Sequence, residues 1–432
     1  MADPRDVVII DGVRTPFAKS GTKFKDIHAA ELGRVALKEL MVRTNVETEL
    51  VDDVIVGNTG SPSDAVNIAR VVALNAGFPK KVSAATVHRN CASAMESIAN
   101  AFDKIKAGVA DIVAAGGTES MSNMPLLFSR EFTDVFGKVV GAKSVSGKLS
   151  ALSQLRLPHL KPRISLVEGL TDPFVGLNMG QTGELLAKEF GITRQQQDEF
   201  ALASHQKAVA ATKNGTFAHE ITPVFIPPHY EEVVNQDIGP RDNQTMESLA
   251  KLKPFFDRKY GTVTVGNACP VTDGAAMVLV MSRAKAKELG LKPAAKIVSY
   301  AFAGLEPERM GLGPVYATPI ALKRAGLKLS DMGLIELNEA FAAQVLACNK
   351  AFASPQFAKD KLGLGSAIGE VDPQKLNVNG GAIALGHPVG TTGTRLVVTL
   401  MKEMARRNVQ FGLATLCIGG GQGGAMILER EA

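Results

Sequence analysis

The chain has 432 residues, 45% of them apolar, and a net charge of +5, a size that calls for two or three domains. Its four cysteines (91, 269, 348 and 417) lie far apart with no C-x-x-C pair, which argues against a zinc cage or a disulfide framework and fits a reducing compartment. Aromatics at 5% with no tryptophan give nucleic-acid stacking little support, and no apolar run approaches the ~18 residues of a membrane span.

The chain enters a strand almost at once, at "DVVIIDGVR" (6–14), and shows neither a signal nor a transit peptide. The expectation is a bacterial-type cytoplasmic protein, or a mitochondrial one whose leader has been removed. A helix with apolar positions at helical spacing follows over 29–44, a strand over 51–58 and a helix over 65–77. Cys91 then starts a helix that runs into the strand "DIVAAGG" (111–117). The middle, 121–259, breaks this alternation; it holds good helices at 180–190 and 193–215 but few strands. From Val135 to Val167 there is no acidic residue, while Lys138, Lys143, Lys148, Arg156, Lys161 and Arg163 are basic and leucines are interleaved. That pattern reads either as a solvated surface helix or as a face for an anionic membrane or a partner subunit.

The last third repeats the opening order: a strand at 296–304, a helix at 318–327, a strand into a loop at 330–340, a helix at 386–408, and strands at 411–420 and 424–430. "ALKEL…VDDVIVGN" finds its likeness in "ALKRA…SDMGLIELN". The reading is a duplicated α/β unit, with functional loops at the carboxyl ends of strands.

Four places can carry chemistry. A cysteine at a helix start is commonly packing, yet a helix N-terminus lowers a thiol pKa and stabilises the thiolate, which singles out Cys91. His387, held between Gly386 and Pro388 in "NGGAIALGHPVGTTG", can act as the base for a cysteine. In "CIGGGQGG", Gly419, Gly421 and Gly424 satisfy G-x-G-x-x-G, but no helix can follow in the eight residues that remain, so the dinucleotide reading fails. Those glycines after Cys417 instead bare backbone N–H groups suited to an oxyanion hole. In "ELNEAFAAQ", Asn338 and Glu339 read as a helix N-cap, or Asn338 orients a water or a substrate oxygen.

Together these residues resemble the thiolase family: the helix-start Cys91, N-E-A-F at 338–341, G-H-P at 386–388, C-x-G-G-G at 417–421 and the stretch 256–276. The likeness spans nearly the whole chain and looks closest to the β subunit of the fatty-acid β-oxidation multienzyme complex. It implies a thiolase-like α/β fold of duplicated halves, each a mixed five-stranded sheet with helices on both faces, plus an inserted, mainly helical loop domain. The expected division is a half at 1–120 completed by 260–291, a loop domain at 121–259, and a second half at 292–432.

The activity implied is cleavage of a 3-oxoacyl-CoA by coenzyme A to acetyl-CoA and a shortened acyl-CoA; condensation by an acetoacetyl-CoA thiolase is the alternative. By resemblance, His387 deprotonates Cys91, whose thiolate attacks the 3-keto carbon; the N–H groups of Cys91 and Gly419 hold the oxyanion. His387 and a water on Asn338 stabilise the enolate, and Cys417 protonates it and then activates the incoming CoA. That double duty suits a thiol with a pKa near ~8.5. Arg241, Ser248 and Phe256 are expected along the nucleotide groove for CoA, and Met179, Ala340 and Phe341 along the pantetheine channel. No metal or permanently bound cofactor is called for; CoA is a co-substrate.

The chain departs from common family patterns at Ala94 (often Gly), Cys269 (often Ser) and Asn178 (His in acetoacetyl-specific members), while Cys348 reads as packing. The resemblance further implies a homodimer or dimer of dimers, with a hydratase/dehydrogenase α subunit as a possible partner. The span 135–167 is the expected docking or membrane face, and deleting 144–166 is expected to spare thiolysis.

Overall fold

The computed structural model describes residues 3–431. Ten strands form one hydrogen-bonded sheet: β1 (Val7–Arg14), β2 (Ala18–Lys19), β3 (Asp53–Gly57), β4 (Ser83–Val87), β5 (Ile112–Ser120), β6 (Thr272–Ser282), β7 (Ala295–Gly304), β8 (Leu334–Leu337), β9 (Phe411–Ile418) and β10 (Gln422–Arg430). Their order is β8-β9-β10-β7-β1-β6-β5-β3-β4, with β2 pairing β6 off this path. The path narrows at β1/β7, where the register holds two residue pairs, Val8–Lys296 and Ile9–Ala295.

The two sides of that seam repeat one another. On the first, β1, β6 and β5 are antiparallel neighbours and β3 joins β5 in parallel. On the second, β7, β10 and β9 are antiparallel and β8 joins β9 in parallel. The expectation of two five-stranded sheets needs one correction. β4 completes the first side, but its counterpart is a single parallel bridge, Ile335–Leu376. Asn377 turns left-handed immediately afterwards, at φ 43°, and ends the extended run. β6 was not anticipated as a strand. It is buried on both faces, so it reads as a continuous apolar run without alternation.

Alternation along the strands builds layers. In β6, Met277, Leu279 and Met281 face an outer core with Leu32, Leu37, Leu40 and Val72, while Val278 and Val280 face inward. In β10, Ala425 and Ile427 face the second outer core, with Leu322, Ala347 and Phe352, while Met426 and Leu428 face inward. Between the two half-sheets lie the Ser93–Lys106 and Thr392–Arg407 helices, which supply Ile98, Ile105, Leu396, Leu400 and Met404 to the shared core. The second of these starts six residues later than the 386–408 expectation. Gly386–Thr391 forms a turn around Pro388, whose carbonyl accepts from the N–H groups of Thr391 and Thr392.

This central layer sets the distance between the two halves at the site. A Cβ on Gly393 would lie 2.4 Å from the Met95 nitrogen, and one on Gly117 would lie 2.0 Å from the Gly390 carbonyl oxygen. Only glycine admits backbone this close. Residues 121–259 carry the Met179–Glu189 and Arg194–Lys213 helices where they were expected, and further helices at Arg130–Gly141, Val145–Leu152, Ser165–Gly169 and Met246–Ala250. Among the described residues, no helix is long and apolar enough to cross a membrane.

Candidate functional site

Cys91 sits between β4 and the Ser93–Lys106 helix, one residue before that helix's N-cap, Ala92. Asn90, immediately ahead, is held at φ 43°, an uncommon conformation for a side chain and a mark of a constrained turn. The Asn90 amide nitrogen donates to the Gly419 carbonyl at 2.7 Å, and Arg89 donates to Gln422 at 3.0 Å while stacking over Phe302. The nucleophile's turn is thereby tied to the glycine turn after Cys417. The backbone N–H groups of Gly419 and of Cys91 itself face the Cys91 sulfur.

From the sequence, the helix terminus is expected to lower the Cys91 pKa. Instead burial pushes it up, the two N–H groups pull it back only in part, and the Glu119 charge adds to the rise. Cys91 therefore rests as a thiol and needs a base. His387 has the means: burial first, then the Arg395 guanidinium, lower its pKa to about 3, so its imidazole is neutral. Its Nδ1 lies 2.6 Å from Thr392 Oγ1, and its Nε2 is buried without a partner.

Asn338 follows β8, its N–H donating to the Thr415 carbonyl at 2.9 Å. It is not the N-cap that its sequence suggested: the next helix runs Ala342–Ala353 with Phe341 as cap and no side-chain capping bond. Both amide atoms of the fully buried Asn338 side chain lack a protein partner, so a water or substrate oxygen is the natural complement. Glu339 is occupied in holding loops together, accepting from Ser204, Asn377 and the Ile383 N–H.

Cys417, near the end of β9, is buried, and its pKa is pushed well up by burial and by the neighbouring Cys91, Cys348 and Cys269. Four cysteines scattered along the chain thus converge, which nothing in their spacing signals. Cys417 holds its proton firmly, so the expectation of a thiol with easy access to both protonation states does not describe its resting form. Cys348 is packing, as read: it is buried and its thiol donates to the Gly311 carbonyl at 3.2 Å.

A cavity of about 600 Å³ opens at Cys91, lined also by Asn90, Gly419, Gly420 and Met179. Its apolar wall comes from Met121, Met124, Leu127, Leu166, Leu170 and Val389. None of these wall residues stood out in the sequence; they come from loops whose only local signal is scattered apolar character. The other expected binding residues spread wider. Ala340 and Phe341 are buried beside Cys269, whose N–H donates to the Ala340 carbonyl, and the Phe341 ring meets Phe256 edge-on at 6.1 Å. Phe256 lines a second, open cleft of about 990 Å³ with Lys188, Arg258, Lys259 and Tyr260. Arg241 is exposed and forms no ion pair among the described residues. The Ser248 hydroxyl is engaged in its own helix's capping box. Neither Arg241 nor Ser248 lines the Cys91 cavity.

The departures fit locally. Ala94 lies inside the Ser93–Lys106 helix with no positive φ, its methyl seated over Gly117. Asn178 caps the Met179–Glu189 helix through a capping box with Gln181. Among the described residues, no group of three or more His, Cys, Asp or Glu could hold a metal ion.

Two half-sheets built on one plan around a shared helical layer define a class. Residues 7–284 match the thiolase N-terminal domain and residues 291–430 the thiolase C-terminal domain. The chain belongs to the thiolase family, and it is an acyltransferase. It is 44% identical over 426 residues to a 3-ketoacyl-CoA thiolase of Yersinia pestis (strain Pestoides F), covering 98% of this chain and 97% of that protein. Among solved structures it resembles human mitochondrial 3-ketoacyl-CoA thiolase (TM-score 0.86, 38% identity, all of both chains). It likewise resembles the acetyl-CoA acetyltransferase of Bacillus anthracis (TM-score 0.86, 39% identity, 98% of both chains). The human enzyme is also known in complex with CoA (TM-score 0.85, 39% identity, all of both chains).

Proposed function

We propose that this chain is a 3-ketoacyl-CoA thiolase that cleaves 3-oxoacyl-CoA in fatty-acid β-oxidation. The observation that carries the reading is the cavity at Cys91, about 600 Å³, whose lining joins the nucleophile and the Gly419 turn to the apolar side chains of Met121, Met124, Leu127, Leu166 and Leu170. Neutral His387 takes the Cys91 proton, and the thiolate attacks the 3-keto carbon. The N–H groups of Cys91 and Gly419, which already face the sulfur, receive the oxyanion that forms beside it. Breaking the Cα–Cβ bond leaves an acyl-Cys91 thioester and an acetyl-CoA enolate. Asn338, through a water, and protonated His387 stabilise the enolate oxygen, and Cys417 delivers its proton to the enolate carbon. The thiolate left on Cys417 then takes the proton of an incoming CoA, whose sulfur accepts the acyl group and frees Cys91. The raised Cys417 pKa supports the donor step first. Arg241, Ser248, Phe256, Met179, Ala340 and Phe341 serve CoA in this reading.

The likeness to an acetyl-CoA acetyltransferase favours a second reading, acetoacetyl-CoA chemistry in the condensing direction. Thiolysis of 3-oxoacyl-CoAs of increasing chain length separates the two. The apolar wall predicts kcat/KM rising by about tenfold or more from four-carbon to longer chains, each buried CH₂ adding up to ~0.8 kcal/mol. Cleavage confined to acetoacetyl-CoA would give the second reading.

We further propose that the chain works in the cytoplasm or an equivalent matrix as a homodimer or dimer of dimers, and meets an anionic lipid surface through 135–167. Phe136, Val140, Val145, Leu149 and Leu157 are all more than half exposed; among the described residues Lys138, Lys143, Lys148, Arg156 and Lys161 form no ion pair, while Arg163 pairs with Glu168 just beyond the span. Exposed apolar surface with basic flanks matches a headgroup layer. Ser165 and Leu166 line the Cys91 cavity, so deleting 144–166 would breach the site and cannot spare thiolysis as first expected. Point charges are the cleaner test. Phe136→Glu with Val140→Glu is expected to abolish co-sedimentation with phosphatidylglycerol-containing vesicles and to leave thiolysis unchanged. Wild-type protein that ignores such vesicles but binds a hydratase/dehydrogenase α subunit through this face would replace the lipid with that partner.

A further inference from the structure

The identity of the proton on His387 decides whether it can act as a base, and one neighbouring side chain governs it. We propose that Thr392 is a positioning residue that fixes His387 in its Nδ1–H tautomer and so leaves the Nε2 lone pair free to take a proton. Thr392 is fully buried, and its Oγ1 has two neighbours: His387 Nδ1 at 2.6 Å and the Pro388 carbonyl oxygen at 3.0 Å. A carbonyl can only accept, and a hydroxyl carries one proton. Bonding back to the carbonyl four residues earlier is the habitual arrangement for threonine at a helix. With its proton on Pro388, Thr392 offers Nδ1 only lone pairs, so Nδ1 carries the hydrogen. A neutral imidazole has one N–H, and Nε2, buried and without a partner, is then bare.

The arrangement is rigid. The Thr392 N–H also donates to Pro388 at 3.1 Å, the Thr391 hydroxyl to the Gly274 carbonyl at 2.8 Å, and the Thr394 hydroxyl to the Ala94 carbonyl at 3.2 Å. These bonds hold the histidine's turn against β6 on one side and against the helix that follows Cys91 on the other. Thr392 acts through His387. A threonine next to Gly393 carries no sequence signal for this role, because the partner is five residues away around a turn.

The inference rests on His387 being the base of the proposed thiolase reaction, so its test reads the base step without any acyl-CoA. The rate of Cys91 alkylation by iodoacetamide at neutral pH is measured in wild type, Thr392→Val and Thr392→Ser, alongside ¹⁵N shifts of histidine-labelled wild-type protein. Thr392→Val is expected to slow alkylation about 100-fold, the low end of general acid–base contributions, and Thr392→Ser to stay within about threefold of wild type. In thiolysis the valine variant is expected to lose kcat with KM little changed. The His387 resonances are expected to show a protonated Nδ1. A protonated Nε2 in wild type, or a valine variant alkylated at the wild-type rate, would overturn the proposal. Slow alkylation of the valine variant in a chain that cleaves no 3-oxoacyl-CoA would keep the tautomer and discard the reaction.

Discussion

Cys91→Ala is expected to lower thiolysis by ~10⁴-fold or more at every chain length, in keeping with the loss of other covalent nucleophiles, while leaving acyl-CoA binding within a few-fold of wild type. The loss is this large because no other thiol can substitute. Cys269 is pushed up to about 12 by burial, Cys348 likewise to about 12, and Cys417 well up for the same reason. None of them faces the Gly419 N–H that meets the Cys91 sulfur. Binding survives because the cavity wall owes its apolar surface to Met121, Met124, Leu166 and Leu170 rather than to the sulfur. Rapid-quench assay for a covalent acyl-enzyme, with titration of a non-cleavable acyl-CoA, checks both halves. Residual thiolysis above about one per cent, with an acyl group on another residue, would move the nucleophile elsewhere.

The sequence carried the outer architecture well and the interior less so. The Ala29–Thr44 helix was legible because one face meets a core and the other meets water or a partner element, a periodicity that local reading detects. β6 escaped because it is buried on both faces, and the Leu376 bridge because a single residue pair has no pattern. At the site, the cysteine, histidine and asparagine were legible as chemistry, but their physical states were not. For Asn338 the sequence leaves a helix cap and the orienting of a water or substrate oxygen both open; in the fold Phe341 is the cap and the buried Asn338 amide has no protein partner. Cys91 was read as a stabilised thiolate from its helix alone, whereas desolvation and Glu119, from a strand that follows the helix, outweigh that terminus. Each error has one cause: the deciding neighbour comes from a distant part of the chain.

Glu119 is the clearest such neighbour, and Glu119→Gln is expected to cost about 3 kcal/mol of stability and about 100-fold in kcat. The carboxyl is fully buried at the end of β5. Its Oε1 accepts from Asn58 Nδ2 at 3.0 Å and the Gly60 N–H at 2.9 Å; its Oε2 accepts from the Thr59 N–H at 3.0 Å, the Thr59 hydroxyl and the Gly390 N–H at 2.8 Å. Two effects compete over its proton. Burial pushes the pKa up, and the donors at Thr59, Gly60 and Gly390 pull it back. Their geometry decides in favour of the carboxylate: all five partners are donors, and a protonated oxygen would oppose at least two of them. Glutamine has the same shape but replaces one oxygen with NH₂. Whichever way the amide turns, at least two donors lose their acceptor, at ~1–3 kcal/mol for each buried group left unpaired. The Gly390 bond matters for turnover, since Gly390 lies three residues from His387 and is the backbone that Gly117 admits so closely. Releasing it lets the histidine drift, and a displacement of about 1 Å costs on the order of 10²-fold. Urea unfolding and steady-state thiolysis of the variant measure the two losses. An unchanged urea midpoint would mean that Glu119 already carries a proton, and that the half-to-half clamp is held by the glycine contacts alone.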